Sequence, residues 1–440
     1  MNFLQIFLYN LRASRYYKLR FDKIAHHLSK SQYYNIDKLK KYQEMQIEKL
    51  NNHVRENNEY YKSIGKELTK KNILSGFIRL SKNSLATQFD KIYKKTSNNE
   101  YLHITSGSTG QPCKVITSNY SEAHRLAQRN RFYDWWKVKP DDRNVLIWGK
   151  LTTSSKTSKT IVNRIKERIK SLFFEQKTHH FSVFSLSNTS IFNYFQEIKK
   201  RRPKFIRGYT SGIHQFCSLL ESSGLDGHSL GFKVAFVTSE ILLENQRDYI
   251  QRILGCPVAN EYGAAEVGLI AYDCEYQNLH ICEELINPII DEEGNLLITD
   301  LLNFSTPLIN YEIGDQIVFS KNKCKCGRES RVIEKINGRT GDLIQKTDGS
   351  FISQYLFYYA IKDLDNMGLA RSIKQYKVFQ IGYHFDVYLI KDVNYDKKAI
   401  DFIKKRMKAE IGEDITIKII FVLEIEKEKS GKVRFFKRKK

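Results

Sequence analysis

The sequence has little proline and glycine and no long apolar run. It contains 6 prolines and 23 glycines among 440 residues, too few for long flexible linkers or a low-complexity chain. No stretch reaches the roughly 18 consecutive apolar residues of a membrane-spanning helix, and the apolar start at Met1–Leu8 is too short and interrupted for a signal peptide. We therefore expect a soluble, cytoplasmic protein. Its length and its 41% hydrophobic residues predict two or three domains with a large core.

Acidic residues are in the minority: 49 Asp and Glu stand against 72 Lys and Arg, for a net charge of +23. Such an excess favours a polyanionic partner, either nucleic acid or an anionic membrane surface. The basic residues are spread along the chain, however, and the abundance of Lys, Asn, Ile, Tyr and Phe is typical of an AT-rich genome. Nucleic acid is therefore not an expected partner. Basic residues from Arg12 to Arg20 flank an apolar stripe, which fits a helix packed on its own domain or an amphipathic segment on the inner membrane face.

The seven cysteines are an odd number in a chain without a secretory signal, which excludes a disulfide framework and favours a metal site or free thiols. The Cys324-Lys325-Cys326-Gly327 segment predicts a tight turn with two thiolates. Cys274 and His280 precede it and would complete a Cys₃His tetrahedron, as in structural zinc sites. Cys282 is an alternative to His280, and reduced cysteines in a surface turn are the competing interpretation. The remaining three cysteines are expected to be packing thiols: Cys113, Cys217 and Cys256.

The pattern along the chain predicts an α/β fold with a large domain at residues 1–337 and a small α+β domain at residues 343–440. Residues 1–95 are expected to be helical, with Asp37 as an N-cap, because apolar residues recur there at helical spacing. From about residue 100 to 320, short apolar strands alternate with helices, as in a multi-layer α/β domain. The clearest strand predictions are Val145–Trp148, Lys204–Ile206, Val234–Thr238, Pro257–Asn260 and Leu296–Thr299, and the clearest helix predictions are Ile191–Lys200 and Glu244–Leu254.

A hydroxyl-rich loop is the strongest single signal for ligand binding. It reads Thr105-Ser106-Gly107-Ser108-Thr109-Gly110-Gln111-Pro112. The glycines allow close approach of the backbone, and successive amide and hydroxyl groups suit phosphate binding. The spacing is neither that of a Walker A motif nor that of a dinucleotide fingerprint. Strand-like Tyr101–Ile104 and Lys114–Thr117 flank it, so a polar hairpin loop is the structural alternative.

This loop resembles the phosphate loop of adenylate-forming enzymes, which include acyl-CoA ligases and peptide-synthetase adenylation domains. Many of these enzymes carry lysine directly after the proline, whereas this chain has Cys113 there and Lys114 next. The phenylacetate–CoA ligase-like family also lacks that lysine. The chain is therefore similar to that family and, within it, to the capsule polysaccharide biosynthesis branch. Relatives in the family also carry the four predicted zinc ligands.

Three further segments resemble family motifs, in the family's order. Asn260-Glu261-Tyr262-Gly263-Ala264-Ala265-Glu266 is similar to a segment whose tyrosine packs on adenine and whose glutamate helps to hold Mg²⁺. Tyr311-Glu312-Ile313-Gly314-Asp315 is similar to a segment whose aspartate binds the ribose hydroxyls. Gly338-Arg339-Thr340-Gly341-Asp342 is similar to the hinge before a mobile C-terminal domain, and Arg339 matches the arginine that reaches the nucleotide. This chain departs from the family at one hinge position, where Gly341 replaces the usual aspartate.

A glycine-lysine pair near the end of the chain completes the resemblance. Lys432, in Ser430-Gly431-Lys432-Val433-Arg434-Phe435, matches the family's catalytic lysine, although it also lies in a generally basic tail. The resemblance implies that ATP and Mg²⁺ activate a carboxylate as its acyl-AMP, with Lys432, Glu266 and Arg339 catalytic. Acyl transfer to CoA or an amine would follow. Two alternatives are an adenylyltransferase that stops at AMP transfer and a membrane- or nucleic-acid-binding protein whose enzyme site has decayed.

Overall fold

The computed structural model describes residues 20–64, 69–104, 113–149, 177–339, 344–352, 354–369, 371–426 and 434–439. The chain divides into two compact units. The first comprises the residues up to Ile313 together with Phe319–Glu334, and the second comprises Gly314–Val318 and the residues from Lys335 onward. The hinge predicted at residues 338–342 stays a prediction, and its residues 340–342 lie outside the described part of the chain, as does all but Arg20 of the predicted amphipathic segment.

Helices form most of the described chain before residue 95, as predicted. They are α1 (Phe21–Ser31), α2 (Ile36–Asn57), α3 (Glu59–Ser63), α4 (Lys70–Leu74), α5 (Lys82–Thr87) and α6 (Phe89–Ile92). The predicted N-cap of α2 was wrong. Asn35 has extended backbone dihedrals, and its side chain accepts a hydrogen bond from the Lys38 amide at 2.9 Å, so the helix begins at Ile36. Asp37 lies in the first turn instead, where a negative charge stabilises the helix dipole.

The centre of the fold is an 11-stranded sheet with the order β10-β11-β12-β13-β9-β8-β7-β6-β5-β3-β4. Its strands are β3 (Asn144–Trp148), β4 (Thr178–Ser182), β5 (Phe205–Tyr209), β6 (Val234–Thr238), β7 (Val258–Ala264), β8 (Gly268–Asp273), β9 (Leu279–Ile281), β10 (Ile286–Ile290), β11 (Asn295–Asp300), β12 (Tyr311–Phe319) and β13 (Val332–Arg339). Strands β3 to β7 are parallel, and β7 to β9 are antiparallel. A separate antiparallel hairpin, β1 (Glu100–Ile104) and β2 (Lys114–Ser118), flanks the predicted phosphate loop.

Helices cover both faces of the parallel strands, so the side chains on either face of the sheet are buried. On β6, Val234 and Phe236 pack with the aromatic side chains of α7 (Asn119–Trp135), whereas Ala235 and Val237 pack with the opposite layer. That opposite layer consists of α8 (Ile191–Arg201), α9 (Thr210–Ser222) and α10 (Glu244–Leu254). This arrangement confirms the predicted multi-layer α/β class.

The second unit folds around a four-stranded sheet with the order β18-β17-β16-β19. Its elements are β14 (Ile344–Gln345), β15 (Phe351–Ile352), α11 (Tyr355–Asn366), β16 (Ile373–Ile381), β17 (His384–Lys391), α12 (Lys398–Ile411), β18 (Thr416–Phe421) and β19 (Phe436–Lys439). Apolar residues from both helices and all four strands form one core. The predicted small α+β unit is therefore confirmed.

A buried ion pair fastens the N-terminal helices to the large sheet. Arg131 on α7 donates to both oxygens of Glu284 and, at 2.8 Å, to the Leu28 carbonyl of α1. The Ser31 hydroxyl donates to the same carboxylate at 2.7 Å. Burial alone would raise the pKa of Glu284, but the Arg131 guanidinium and the Ser31 hydroxyl outweigh it and hold that pKa below its usual value.

We expect Arg131→Met to lower the free energy of unfolding by about 3–5 kcal/mol, because it leaves a buried carboxylate without its counter-ion. The exposed pair between Lys139 and Asp134 offers a control: Lys139→Met should cost less than about 1 kcal/mol. Folding depresses the pKa of Glu284. The stabilisation that the ion pair gives the folded state is therefore present above the unfolded-state pKa of roughly 4.3, and it is lost as the pH falls through the lower, folded-state pKa. Urea unfolding at several pH values should therefore show the gap between wild type and Arg131→Met narrowing below about pH 4. A gap independent of pH would contradict this account.

Candidate nucleotide site and metal centre

The predicted nucleotide-binding motif from Glu261 to Glu266 lies at the carboxyl end of the parallel strands. Thr238 ends β6 and pairs with Glu261 of β7, and the segment from Tyr262 to Glu266 continues beyond this last pair of the parallel strands. In open α/β sheets, ligands bind in the crevice outside this edge. The fold therefore brings the motif to the edge where chemistry is expected.

Glu261 does not reach this crevice with its carboxylate. Its side chain is buried, and its Oε2 accepts hydrogen bonds from Arg207 Nε at 3.0 Å and from the terminal guanidinium nitrogen at 2.6 Å. Its backbone carbonyl accepts from the Thr238 hydroxyl at 3.0 Å. The carboxylate thus neutralises a half-buried arginine of β5, and the predicted contact of Glu261 with the cofactor stays a prediction.

Gly263 is required by the turn that follows. A β-carbon at this position would lie 2.5 Å from the Gly268 carbonyl oxygen, because β7 and β8 close on each other where their register shifts. No side chain fits at that distance. Half-buried Tyr262 precedes the tight hairpin, and the hairpin carries Glu266 in its turn.

Glu266 is held by two side chains that are distant in sequence. Its Oε1 accepts a hydrogen bond from the buried Tyr311 hydroxyl at 3.2 Å and pairs with Lys82 Nζ at 3.2 Å. Lys82 is the first residue of α5, whose N-terminus is capped by Ser81. Because Oε1 is occupied, Oε2 is the oxygen that best suits a hard cation such as Mg²⁺.

Lys82 was missed by sequence reasoning. The Cys113 thiol lies 3.5 Å from the Lys82 carbonyl oxygen, so the residue after the predicted phosphate loop contacts the backbone of this lysine. Burial raises the pKa of Cys113, which is consistent with a packing thiol. The only signal in the sequence was that Cys113 stands where many adenylate-forming enzymes have lysine; the positive charge beside Glu266 comes from Lys82 of α5.

Arg125 on α7 supports the same turn and was also missed. It donates to the Glu266 carbonyl at 3.4 Å and to the Asp300 carboxylate at 2.9 Å, and its guanidinium carbon would lie 3.5 Å from a β-carbon at Gly268. Burial raises the pKa of Asp300 and Arg125 opposes that effect. The arginine therefore fixes the backbone that presents Glu266.

The other predicted site residues are not assembled by the described part of the chain. Asp315 is half-buried on β12, after Gly314, whose φ of +82° breaks the alternation of the strand. Arg339 is the last residue of β13. Lys432 and the loop from Thr105 to Gly110 lie outside the described residues. The predicted roles of all four stay predictions.

A second cluster joins Cys274, His280, Cys324 and Cys326. One ligand atom from each residue lies within 4.8 Å of those from the other three. Cys274 Sγ is 3.6 Å from Cys324 Sγ, and Cys326 Sγ is 3.3 Å from His280 Nε2. The edges of a zinc–thiolate tetrahedron are about 3.8 Å, as follows from a Zn–S length near 2.3 Å. The cluster therefore fits Zn²⁺ without an open coordination position.

The surroundings of this cluster also suit a metal. His280 Nδ1 lies 3.1 Å from the Ser330 hydroxyl and 3.2 Å from the Ser330 carbonyl oxygen, which directs Nε2 toward the sulfurs. The Tyr276 amide and the Asn278 side chain donate to Cys274 and Cys324, each at 3.4 Å. The alternative ligand Cys282 lies instead in the core beside α7.

The turn of the cluster packs on the N-terminal helices. The Arg328 guanidinium lies 3.9 Å from the centre of a Trp135 ring and pairs with Glu275 at 2.9 Å. Both Arg328 and the Trp135 indole donate to Gln32 Oε1, at 3.3 and 2.7 Å. The cluster thus holds together the segment after the Glu266 turn, α7 and the end of α1.

The chain is similar to known proteins both in sequence and in fold. A family model described as the CapK C-terminal domain matches residues 344–439. Protein CapK of Staphylococcus aureus is 24% identical over 413 residues, which cover 89% of this chain and 88% of the relative. A 2-hydroxyisobutyryl-CoA ligase structure, in the postadenylation state with R3-HIB-AMP, superposes with a TM-score of 0.72 at 13% identity, covering 93% of this chain and 91% of that one.

The chain has the fold of the adenylate-forming ligases. The anthranilate CoA ligase AuaEII, in complex with anthranoyl-AMP, also matches, with a TM-score of 0.52 at 15% identity over 76% of this chain and 65% of that one. The fold expected from the resemblance to adenylate-forming enzymes is confirmed, and the similarity to Protein CapK agrees with the predicted capsule-associated branch. The finer assignment to a phenylacetate–CoA ligase-like subtype stays a prediction. Within the described residues, every helix is too short or too polar to span a bilayer.

Proposed function

We propose that this protein joins a carboxylate to AMP at the expense of ATP, releases pyrophosphate, and passes the acyl group to CoA or an amine. The observation that carries the proposal is the placement of Glu266. The tight turn at Gly263, the Tyr311 hydroxyl and Lys82 hold this carboxylate at the ligand-binding edge of a parallel sheet. The fold shared with ligases crystallised with acyl adenylates supports the same reaction.

The chemistry assigns each group a role. A carboxylate oxygen attacks the α-phosphorus of ATP, the bond from this phosphorus to pyrophosphate breaks, and an acyl-AMP forms. Glu266 would hold a Mg²⁺ ion, which would supply positive charge to offset that of the triphosphate. Tyr262 offers an aromatic face for adenine, and Asp315 offers the acceptor that two ribose hydroxyls need. Backbone amides and hydroxyls from Thr105 to Gly110 would bind the phosphates.

Cations complete the active site in this proposal. Arg339 and Lys432 would stabilise the charge that develops between the carboxylate and the α-phosphate. Lys82 adds a positive charge beside Glu266 and orients its carboxylate. The subsequent acyl transfer requires a thiol or an amine. CoA is the acceptor that the fold neighbours support, since 2-hydroxyisobutyryl-CoA ligase has been solved with both 2-HIB-AMP and CoA.

The similarity to Protein CapK supports a role in capsule or surface polysaccharide biosynthesis within this proposal. The general reaction is tested by incubating the protein with MgATP, hydroxylamine and a panel of carboxylic acids, including uronic acids and acyl groups found on polysaccharides. We expect pyrophosphate and a hydroxamate to form in equal amounts with the cognate acid. Release of ADP and inorganic phosphate instead would contradict the proposal.

We expect Glu266→Gln to raise the Mg²⁺ concentration required for half-maximal pyrophosphate release by on the order of tenfold or more, because an interaction with a charged group is worth ~1.5–3 kcal/mol. The amide keeps the size of the side chain but loses the charge that a hard cation prefers. Glu292→Gln, at an exposed residue before β11, removes the same charge outside the motif and should leave the Mg²⁺ dependence unchanged. An identical Mg²⁺ titration for wild type and Glu266→Gln would exclude Glu266 as a metal ligand.

A further inference from the structure

The amino ends of the parallel strands carry a row of basic residues. Lys177, Arg143, Lys204 and Lys233 each directly precede a strand, namely β4, β3, β5 and β6 in their spatial order. The sheet hydrogen bonds continue through this row: the Asn144 amide donates to the Lys177 carbonyl, Lys204 to Arg143, and Lys233 to Lys204, each at 2.7 Å. Neighbouring strands lie roughly 4.8 Å apart, so the four residues stand side by side along one edge.

The last turn of α8 adds a second group of cations. We call the combined surface the basic edge; it comprises Arg143, Lys177, Lys199, Lys200, Arg201, Arg202, Lys204 and Lys233. All of these except half-buried Lys177 are exposed. Two ion pairs join the basic edge to described carboxylates, Lys177 with Asp141 at 3.0 Å and Arg201 with Glu197 at 3.3 Å. Most of its positive charge is therefore not neutralised by described residues of the chain.

A cavity of about 500 Å³ opens within the basic edge. Arg143, Lys177, Lys200 and Arg201 line it, together with His179 and Glu197. Arg143 is oriented by a hydrogen bond of 3.2 Å to the Arg201 carbonyl. Burial lowers the pKa of His179, and the nearby Arg201 lowers it further. The lysines and arginines of this lining suit a phosphodiester group.

This surface lies at the opposite end of the strands from Glu266. The proposed nucleotide site is at the carboxyl ends, where ligands of open α/β sheets bind, whereas the basic edge is at the amino ends. The adenylation chemistry therefore makes no use of it, and its charge requires a separate explanation.

We propose that the basic edge docks the protein on an anionic phospholipid surface. Polybasic surfaces bind acidic leaflets because each lysine or arginine near the surface adds favourable energy, and lipid headgroups rearrange to meet each cation. Single-stranded nucleic acid is bound chiefly on aromatic stacking platforms, and the described residues that line the cavity of the basic edge include no phenylalanine, tyrosine or tryptophan. A broad array without stacking groups fits a fluid bilayer better than a nucleic acid.

The test compares two variants of the full chain with the same loss of charge. The edge variant replaces Lys199, Lys200, Lys204 and Lys233 with glutamine. The control variant replaces Lys40, Lys41, Lys49 and Lys71, which are exposed on or near the N-terminal helices. Each protein is sedimented with vesicles of phosphatidylglycerol and phosphatidylcholine, and with vesicles of phosphatidylcholine alone. Thermal unfolding verifies that both variants fold.

We expect the wild type to bind acidic vesicles and not neutral ones, with binding that weakens as salt is added. The edge variant should bind at least about tenfold more weakly, whereas the control variant should lose less than about threefold. Equal losses in the two variants would overturn the proposal, because net charge alone would then explain binding. Tighter binding of the basic edge to a DNA oligonucleotide or to inorganic phosphate than to acidic vesicles would also overturn it. None of these outcomes depends on the proposed adenylation activity.

Discussion

Lys432→Ala is expected to lower the rate of pyrophosphate release by on the order of 100-fold or more, while thermal stability and MgATP binding stay close to wild type. Negative charge increases between the carboxylate and the α-phosphate as they approach each other. A lysine presented by the Gly431-Lys432 pair would neutralise that charge in the transition state, and its loss should affect the rate and not the binding of ATP.

The basic tail provides the matched control for this experiment. Lys437 is exposed on β19, five residues from Lys432, so Lys437→Ala removes the same charge from the same region. We expect its rate to remain within about twofold of wild type, as for most exposed substitutions. Equal rates in the two alanine variants, whether both normal or both reduced, would show that Lys432 acts as part of a diffuse basic tail and has no catalytic position.

The cluster of Cys274, His280, Cys324 and Cys326 is expected to bind zinc and to stabilise the fold. Purified protein should carry about one equivalent of Zn²⁺ that resists dialysis, and Cys324→Ser should release it and lower the melting temperature more than it lowers the turnover of folded protein. The four ligand atoms already lie within 4.8 Å of one another. Without the metal, the sulfurs would remain crowded together. A hydrogen bond joins Cys274 and Cys326, and it raises the pKa of Cys274 and lowers that of Cys326. The packing of Arg328 on Trp135 would then loosen as well.

Cys282→Ser is the control. Cys282 is a buried cysteine directly after β9, the strand that carries His280, but its thiol lies outside the cluster. Elemental analysis should find zinc retained in this variant and lost in Cys324→Ser. Zinc retained in full by a Cys274→Ser and His280→Ala double variant would show that the ligand set is wrong. Protein prepared without chelator and free of zinc would exclude the site.

Elements with strong local patterns could be predicted from the sequence. Strand β6 and helix α10 have the predicted bounds, because an unbroken apolar run marks a strand buried on both faces and Gly255 ends the helix in a left-handed conformation. The start of α2 could not be placed, because Asn35 and Asp37 are both good caps and backbone geometry selects between them.

In the candidate site, too, some residues could be predicted from the sequence and others could not. The motif with Glu266 could be found because its residues are adjacent in sequence. Its partners could not, since Lys82, Arg125 and Tyr311 reach it only through the packing of α5, α7 and β12 around the sheet. The buried pairing of Glu261 with Arg207 was also hidden, because it depends on the order of strands β5 to β7.

Attack of a carboxylate oxygen on the α-phosphorus of ATP would transfer that oxygen to AMP. An isotope label in the carboxylate therefore shows directly whether this attack occurs. The carboxylic acid that supports turnover is labelled with ¹⁸O in its carboxylate and incubated with MgATP, the protein and an acyl acceptor. After acyl transfer, the C–O bond of the acyl-AMP has broken and the attacking oxygen remains on phosphorus. We therefore predict that AMP carries one ¹⁸O atom and that pyrophosphate carries none. Label found in inorganic phosphate with ADP as the other product, or unlabelled AMP, would contradict the account.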